Sequence, residues 1–321
     1  MINKVLIGAR NLDLHIQLTD EFTPNKGSTI PCRLQQNLGG VAYNVTHALH
    51  LLKANSIRLL TVSGSSNSVF ESDSTPVEIH PIQGESTASY ISLLDSKSSE
   101  LICGFGDMNI YERQITSEFL EKNRSTLIDH QWIMFDANIH PLAMQYLTEL
   151  TREYRKNLVF ISAGGPTKAQ RIRSHLNNIH VLFCNRLEFD AIIDSSLPLE
   201  TQLKNLFHEN STIKLVCITM GADGVLVGMN GQLTKYQVLS LDHEQQSIQN
   251  VTGAGDSFAA GVMSQLLKRG FTEIHRAIAC GLLAARLTLT SANTISEKLR
   301  LIDEEKLDQI CSNELRFENL E

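Results

Sequence analysis

The amino-acid sequence predicts an α/β fold, with helices layered against a central, mostly parallel sheet. Three observations predict it. Short apolar runs recur along the chain with helical patterns between them, as repeated βα units require. Two glycine clusters, Gly39-Gly40 and Gly253-Ala254-Gly255, stand directly before helical stripes, where such folds gather ligands. The 321 residues, 42% hydrophobic and 20% charged, are enough for one large α/β domain with an ordinary core, and residues 1–321 are read as a single domain.

Residues 5–8 are an apolar run that reads as a buried strand. Residues 40–54 carry Val41, Ala42, Val45, Ala48, Leu49 and Leu52 on one helical stripe, introduced by the glycine pair. Strands follow at 57–62, 132–135, 159–162, 181–183 and 215–219, and helices at 117–128, 141–154, 168–176 and 186–193. The rhythm breaks at 77–82, 89–94 and 100–106, extended segments joined by turns with no helix between them. Together with 14–18 and 28–34 they predict a small antiparallel sheet, its strands drawn from about 14–35 and 77–107, that projects as a lid and excludes water. An edge extension of the main sheet is the competing arrangement.

A net charge of −7 excludes a broad nucleic-acid surface, which needs clustered Lys and Arg. The start, Met1 to Gly8, lacks a signal-peptide pattern, and no apolar run approaches a membrane span, so the expected setting is cytoplasmic with no membrane partner. The six cysteines are widely spaced, without a C-x-x-C pair, and read as reduced core residues. His47 and His50 share a helical face, but no companion falls at metal-ligand spacing.

The run Asn250-Val251-Thr252-Gly253-Ala254-Gly255-Asp256 places small residues and a carboxylate at a helix start. Its N–H groups at Gly253, Ala254 and Gly255 can converge on a phosphate, aided by the helix dipole. Asp256 would repel that anion but could take a proton from an attacking hydroxyl. Locally, a turn with Asp256 as a helix cap fits equally well. Gly39, Gly40 and Asn44 form a second turn whose amide groups can meet vicinal hydroxyls of a sugar, and Asp13, soon after the first strand, can accept two hydroxyl protons. Thr219 to Val225 is a glycine-containing hairpin positioned to wall a nucleotide. Asn185 and Glu188 either hold a hydrated magnesium ion or form a helix capping box.

In their order, the runs G-A-R-N-L-D (8–13), G-G-V-A-Y-N (39–44), N-R-L-E (185–188), T-M-G-A-D-G (219–224) and N-V-T-G-A-G-D (250–256) resemble the ribokinase-like (PfkB) carbohydrate and nucleoside kinases. Within that family the runs 84–95 and 106–111 are similar to those of pseudouridine kinases. The resemblance implies a ribokinase-like three-layer αβα fold with a central mostly parallel sheet and a small β-sheet lid. It further implies ATP-dependent phosphorylation of the 5′-hydroxyl of pseudouridine, the alternatives being another nucleoside or sugar, or a weakened nucleoside-binding protein.

By the same resemblance, Asp256 is the general base and Gly253, Ala254 and Gly255 the anion hole. Asp13, Gly39, Gly40, Asn44, Thr87 and Asp107 bind substrate, and Asn185, Thr219, Gly221, Gly224 and Thr252 bind ATP. Glu188 and Asn250 serve Mg2+ and a K+ ion, the latter beside the 291–294 loop. Four departures stand out: a shortened 63–76 stretch in the ligand-side wall, Ser162 in place of an Asp at a strand end, Cys184 in place of a Pro, and Asn250 in place of an Asp near the monovalent cation. Exposed edges of a lid sheet would be protected by a second copy, which predicts a homodimer through the lid.

Overall fold

The computed structural model describes residues 3–19, 29–54, 56–65, 74–95, 101–162, 164–240 and 248–320. In chain order its elements begin β1 (Lys4–Ile7), β2 (Asn11–Leu18), β3 (Cys32–Gly39), α1 (Val41–Leu51), β4 (Ile57–Gly64), β5 (Val77–Ile82), β6 (Ser89–Leu94) and β7 (Leu101–Asp107). They continue with α2 (Asn109–Gln114), α3 (Ser117–Lys122), α4 (Arg124–Ile128), β8 (Trp132–Asp136), α5 (Pro141–Glu153), β9 (Asn157–Ile161), α6 (Pro166–Ala169), β10 (Val181–Asn185) and α7 (Arg186–Ile193). The last are α8 (Leu199–Glu209), β11 (Leu215–Thr219), β12 (Val225–Met229), β13 (Gln232–Tyr236), α9 (Ala254–Arg269), α10 (Ile274–Leu289), α11 (Glu304–Gln309) and β14 (Phe317–Leu320).

Ten strands build one sheet in the order β14-β13-β12-β11-β10-β9-β8-β1-β4-β5. Pairing is parallel from β11 to β5 and antiparallel from β11 to β14. Its central strands are apolar on both sides because both are covered. On β1, Leu6 joins the core under α1, α9 and α10, while Val5 and Ile7 join the core under α5 and α7, all without solvent exposure. The result is a three-layer αβα architecture whose parallel strands deliver their C-terminal ends to one edge.

A second sheet, β3-β2-β6-β7, stands apart from the first. Residues 77–82, expected in this lid, instead pair in parallel with β4 as the edge strand of the large sheet, so the edge-extension arrangement holds for them. Pro81 fits that assignment, because an edge strand tolerates a missing N–H. The small sheet is also not wholly antiparallel: β2 pairs with β6 in parallel. β2 begins at Asn11, so Asp13 lies within the lid strand itself.

Two helical expectations also shift. The stretch 117–128 is two helices, broken at Asn123, where φ −102° and ψ 13° leave the helical range. Pro166 opens α6 ahead of residue 168, as its fixed φ favours at a first helical position, and residues 170–178 continue as a tighter 3-10 turn. Most of the shortened 63–76 connection, residues 66–73, lies outside the described residues, as does residue 28 of the expected strand 28–34.

Candidate active site

The strand ends and two helix starts converge beneath the small sheet. α9 begins at Gly253, whose φ of +81° is left-handed backbone that glycine adopts without strain, and no side chain caps its first turn. The Ala254 N–H makes a long 3.5 Å bond to the Val251 carbonyl, while the N–H groups of Gly255 and Asp256 keep the electropositive character of a helix start. Asp256 does not cap its own helix. Its Oδ2 accepts a 2.7 Å hydrogen bond from Nδ2 of the buried Asn44, in the first turn of α1. That bond ties the Asp256 carboxylate to a different helix from its own.

Asp13 reaches the same place from β2. It is buried, accepts a hydrogen bond from Asn11 Nδ2, and pairs in register with Asn37 and Tyr90 across the small sheet. Gly39 is required there: a Cβ at that position would overlap the Asp13 carboxylate. Loss of hydration pushes the Asp13 pKa up to about 7; Asn11 pulls it down and the neighbouring charge of Asp256 raises it again. Asp256 is likewise pushed up to about 7, first by loss of hydration, then opposed by the Asn44 hydrogen bond and raised by Asp136 and Glu188. Two carboxylates thus titrate together near neutrality, in the range where a general base is most useful. The Oδ1 of Asn44 is buried and unpartnered among the described residues, an acceptor with its capacity unused.

The expected nucleotide wall follows β10 and β11. Asn185 and Glu188 form a full capping box: Asn185 Oδ1 accepts from the Glu188 N–H at 2.9 Å, and Glu188 Oε2 accepts from the Asn185 N–H at 3.0 Å. Glu188 is buried, and its charge still reaches Asp256. Thr219 ends β11, and Gly221 and Gly224 turn the chain into β12. Asn250 folds its side chain back, Oδ1 accepting from the Thr252 N–H at 2.9 Å, so its amide oxygen is committed to the loop.

The two residues expected from the lid differ in placement. Thr87 is half-buried and pinned to the end of β4 through Ser63 Oγ at 3.2 Å. Asp107 is exposed at the foot of β7, in register with Ser89, and is not brought against Asp13 or Asp256 by any contact among the described residues. Sequence reasoning missed Asp136, fully buried at the C-terminal end of β8, and its neighbour Asn138, whose Oδ1 accepts from Lys168 Nζ. An acidic residue closing the apolar run Trp132-Ile133-Met134-Phe135 was the available signal, since ligands gather at such strand ends.

Residues 2–300 match the model of the pfkB family carbohydrate kinases. The chain belongs to this family. Pseudouridine kinase of Escherichia coli is 28% identical over 274 residues, covering 81% of this chain and 82% of its own. Pseudouridine kinase of Arabidopsis thaliana is 21% identical, covering 92% and 93%. The Arabidopsis ribokinase structure complexed with ribose and ATP superposes with a TM-score of 0.78 at 15% identity, over 95% of this chain and 98% of that one. This pfkB-family chain is therefore a phosphotransferase with an alcohol acceptor, a nucleoside or sugar kinase of ribokinase-like fold that implies ATP and a divalent cation. None of its described helices is long and apolar enough to cross a membrane.

Proposed function

We propose that this kinase transfers the γ-phosphoryl group of ATP to the 5′-hydroxyl of pseudouridine. The observation that carries the reading is the Asp256 carboxylate, held by Asn44 at the uncapped start of α9 with Asp13 beside it. Similarity to two pseudouridine kinases supports that nucleoside as the acceptor. Asp13, the free Asn44 oxygen and the Gly39-Gly40 backbone would take the ribose hydroxyls. That grip directs the 5′-oxygen at the γ-phosphorus while Asp256 accepts its proton; the new O–P bond forms as the bond to the β-phosphate oxygen breaks. The N–H groups of Gly253, Ala254 and Gly255 meet the charge on the transferred group, and Thr219, Gly221, Gly224, Asn185 and Thr252 flank the nucleotide.

A magnesium ion bound with ATP would neutralise the phosphate oxygens, and Glu188 fits it through water, because the capping box uses only its Oε2. Potassium would rest on carbonyl groups of Asn250 and Thr252 beside the 291–294 loop, since the Asn250 side-chain oxygen already serves Thr252. The register of the small sheet supports a homodimer. Asp13, His15, Asn37, Gln35, Tyr90 and Ser92 alternate with Leu14, Ile16, Leu34, Ile91, Leu93 and Phe105, giving one polar and one apolar face. Leu34 and Phe105 are 56% and 60% exposed on the latter, where a second lid would cover them. The test is an ATP-coupled assay across ribose, uridine, cytidine, adenosine and pseudouridine. Highest kcat/KM is expected for pseudouridine; preference for any other acceptor overturns the assignment.

A further inference from the structure

Asp136 ends β8 with no solvent exposure and is tied to two distant segments and to the turn that follows it. Its Oδ2 accepts from the Ala9 N–H at 2.9 Å and from the Ala42 N–H at 3.2 Å, while Oδ1 accepts from the Asn138 N–H at 2.9 Å. Ala9 opens the turn that leads into Asp13, and Ala42 is the second residue of α1, two residues before Asn44. The carboxylate therefore caps α1 from a distant strand, a task that the helix's own N-cap, Gly40, has no side chain to perform. Gly8 leaves the space that Asp136 fills, since a Cβ there would overlap its carboxyl group. On the far side Lys168 Nζ donates to Asn138 Oδ1 at 2.7 Å, bringing an ammonium close to the Asp136 charge. A second clamp acts on the same turn: the Tyr111 hydroxyl donates to the Arg10 carbonyl and accepts from the Arg10 N–H.

We infer that Asp136 is a positioning residue of the kinase reaction: by fixing the start of α1 and the turn before β2, it sets Asn44 and Asp13 against Asp256. The inference rests on Asp256 acting as the general base. Its effect reaches the base in two ways, through the hydrogen bonds that place Asn44 and through its own charge on Asp256. Burial raises the Asp136 pKa, and its three N–H donors pull it back. The other groups that face Asp256 are Asp13 from β2, Glu188 from α7 and Asn44 from α1. Lys168 faces Asp136, and the Arg10 guanidinium lies over the Tyr43 ring at 5.6 Å.

The test is the pH profile of kcat/KM for the nucleoside at saturating Mg-ATP, in wild type and Asp136→Asn. Asn is isosteric, but its amide must face one of the N–H donors. Expected are a fall in kcat of about 10- to 100-fold and a downward move of the acid limb by about half a pH unit or more, because a negative charge beside Asp256 is gone. A folded variant with lower thermal stability but an unmoved limb and unchanged kcat overturns the inference. Lys168→Met keeps it falsifiable if Asp136→Asn does not fold: removing the cation should raise the limb, and a limb that stays or moves down overturns it. Asp256→Asn run alongside separates the two readings. If that variant keeps turnover, the general-base assignment fails; if it is dead while Asp136→Asn behaves as wild type, only the positioning role fails.

Discussion

Replacing Asp256 with Asn should abolish turnover and at the same time stabilise the protein. Asn is isosteric, and its Oδ1 can still accept the hydrogen bond that Asn44 Nδ2 now gives to Asp256. What it cannot do is accept the substrate proton, a loss of about 10²- to 10⁴-fold in kcat. Stability moves the other way. The Asp256 pKa rises from 3.8 to about 7 on folding, and three units correspond to about 4 kcal/mol. Because the carboxyl is only half-buried, solvent screening reduces this to about 2–3 kcal/mol. The folded pKa lies above the unfolded one, so the cost is absent below pH 3.8, grows as pH rises towards 7 and is complete above that. With 321 residues and an unfolding entropy near 2.1 cal/mol/K per residue, the variant should melt about 3–5 °C above wild type at pH 8. At pH 4 the two should melt together. Scanning calorimetry at both pH values, with a coupled assay of kcat, tests this. Turnover close to that of wild type, or a variant melting at or below wild type at pH 8, would refute the reasoning.

Other predictions concern the same constellation. Wild-type kcat/KM should fall as pH drops below about 7, because Asp13 and Asp256 both take up protons there; a pH–rate profile flat from 5.5 to 8 would contradict it. Asn44→Ala removes the hydrogen bond that favours ionised Asp256, so the acid limb should move to higher pH and kcat fall by about 10²-fold, measured from the same profiles. Gly39→Ala drives a methyl group into the Asp13 carboxylate and should lower nucleoside kcat/KM by about 10²-fold with a native circular-dichroism spectrum, since the displaced group is a side chain of the lid. Leu34→Arg with Phe105→Glu on the apolar face of the small sheet should convert a dimer to monomers in light scattering, and unchanged mass would exclude that face as the interface.

Periodicity made the layered core legible, because the central strands bury both faces and the helices between them bury one stripe each. It misassigned 77–82 for a definite reason. An edge strand covered on one side only alternates polar and apolar residues just as a lid strand does, so its partner, β4, could be learned only from pairing. The capping box at Asn185 and Glu188 was one of two local readings and is formed, using only Oε2 of the Glu188 carboxyl. The position of Asp136 at the end of an apolar run was legible, but its role was out of reach because its partners, Ala9 and Ala42, lie 127 and 94 residues away.

The same separation explains why the Gly253 to Asp256 loop could not be judged by itself. A carboxylate three residues into a helix is a cap if it turns back on its own backbone and a candidate base if something else holds it outward. Which occurs depends on Asn44, 212 residues earlier. Asn44 in turn lies two residues beyond Ala42, whose N–H the Asp136 carboxylate holds, and beside it Gly39 yields space to Asp13. The glycines therefore act at two levels. At 253 the residue supplies a left-handed turn, which local sequence reveals, and also yields room to the Thr294 carbonyl; at 39 it yields room to a carboxylate from a neighbouring strand, and these close approaches only the fold reveals. A pfkB-family kinase needs both, since an anion site without an oriented hydroxyl beside its base holds a phosphate and transfers nothing.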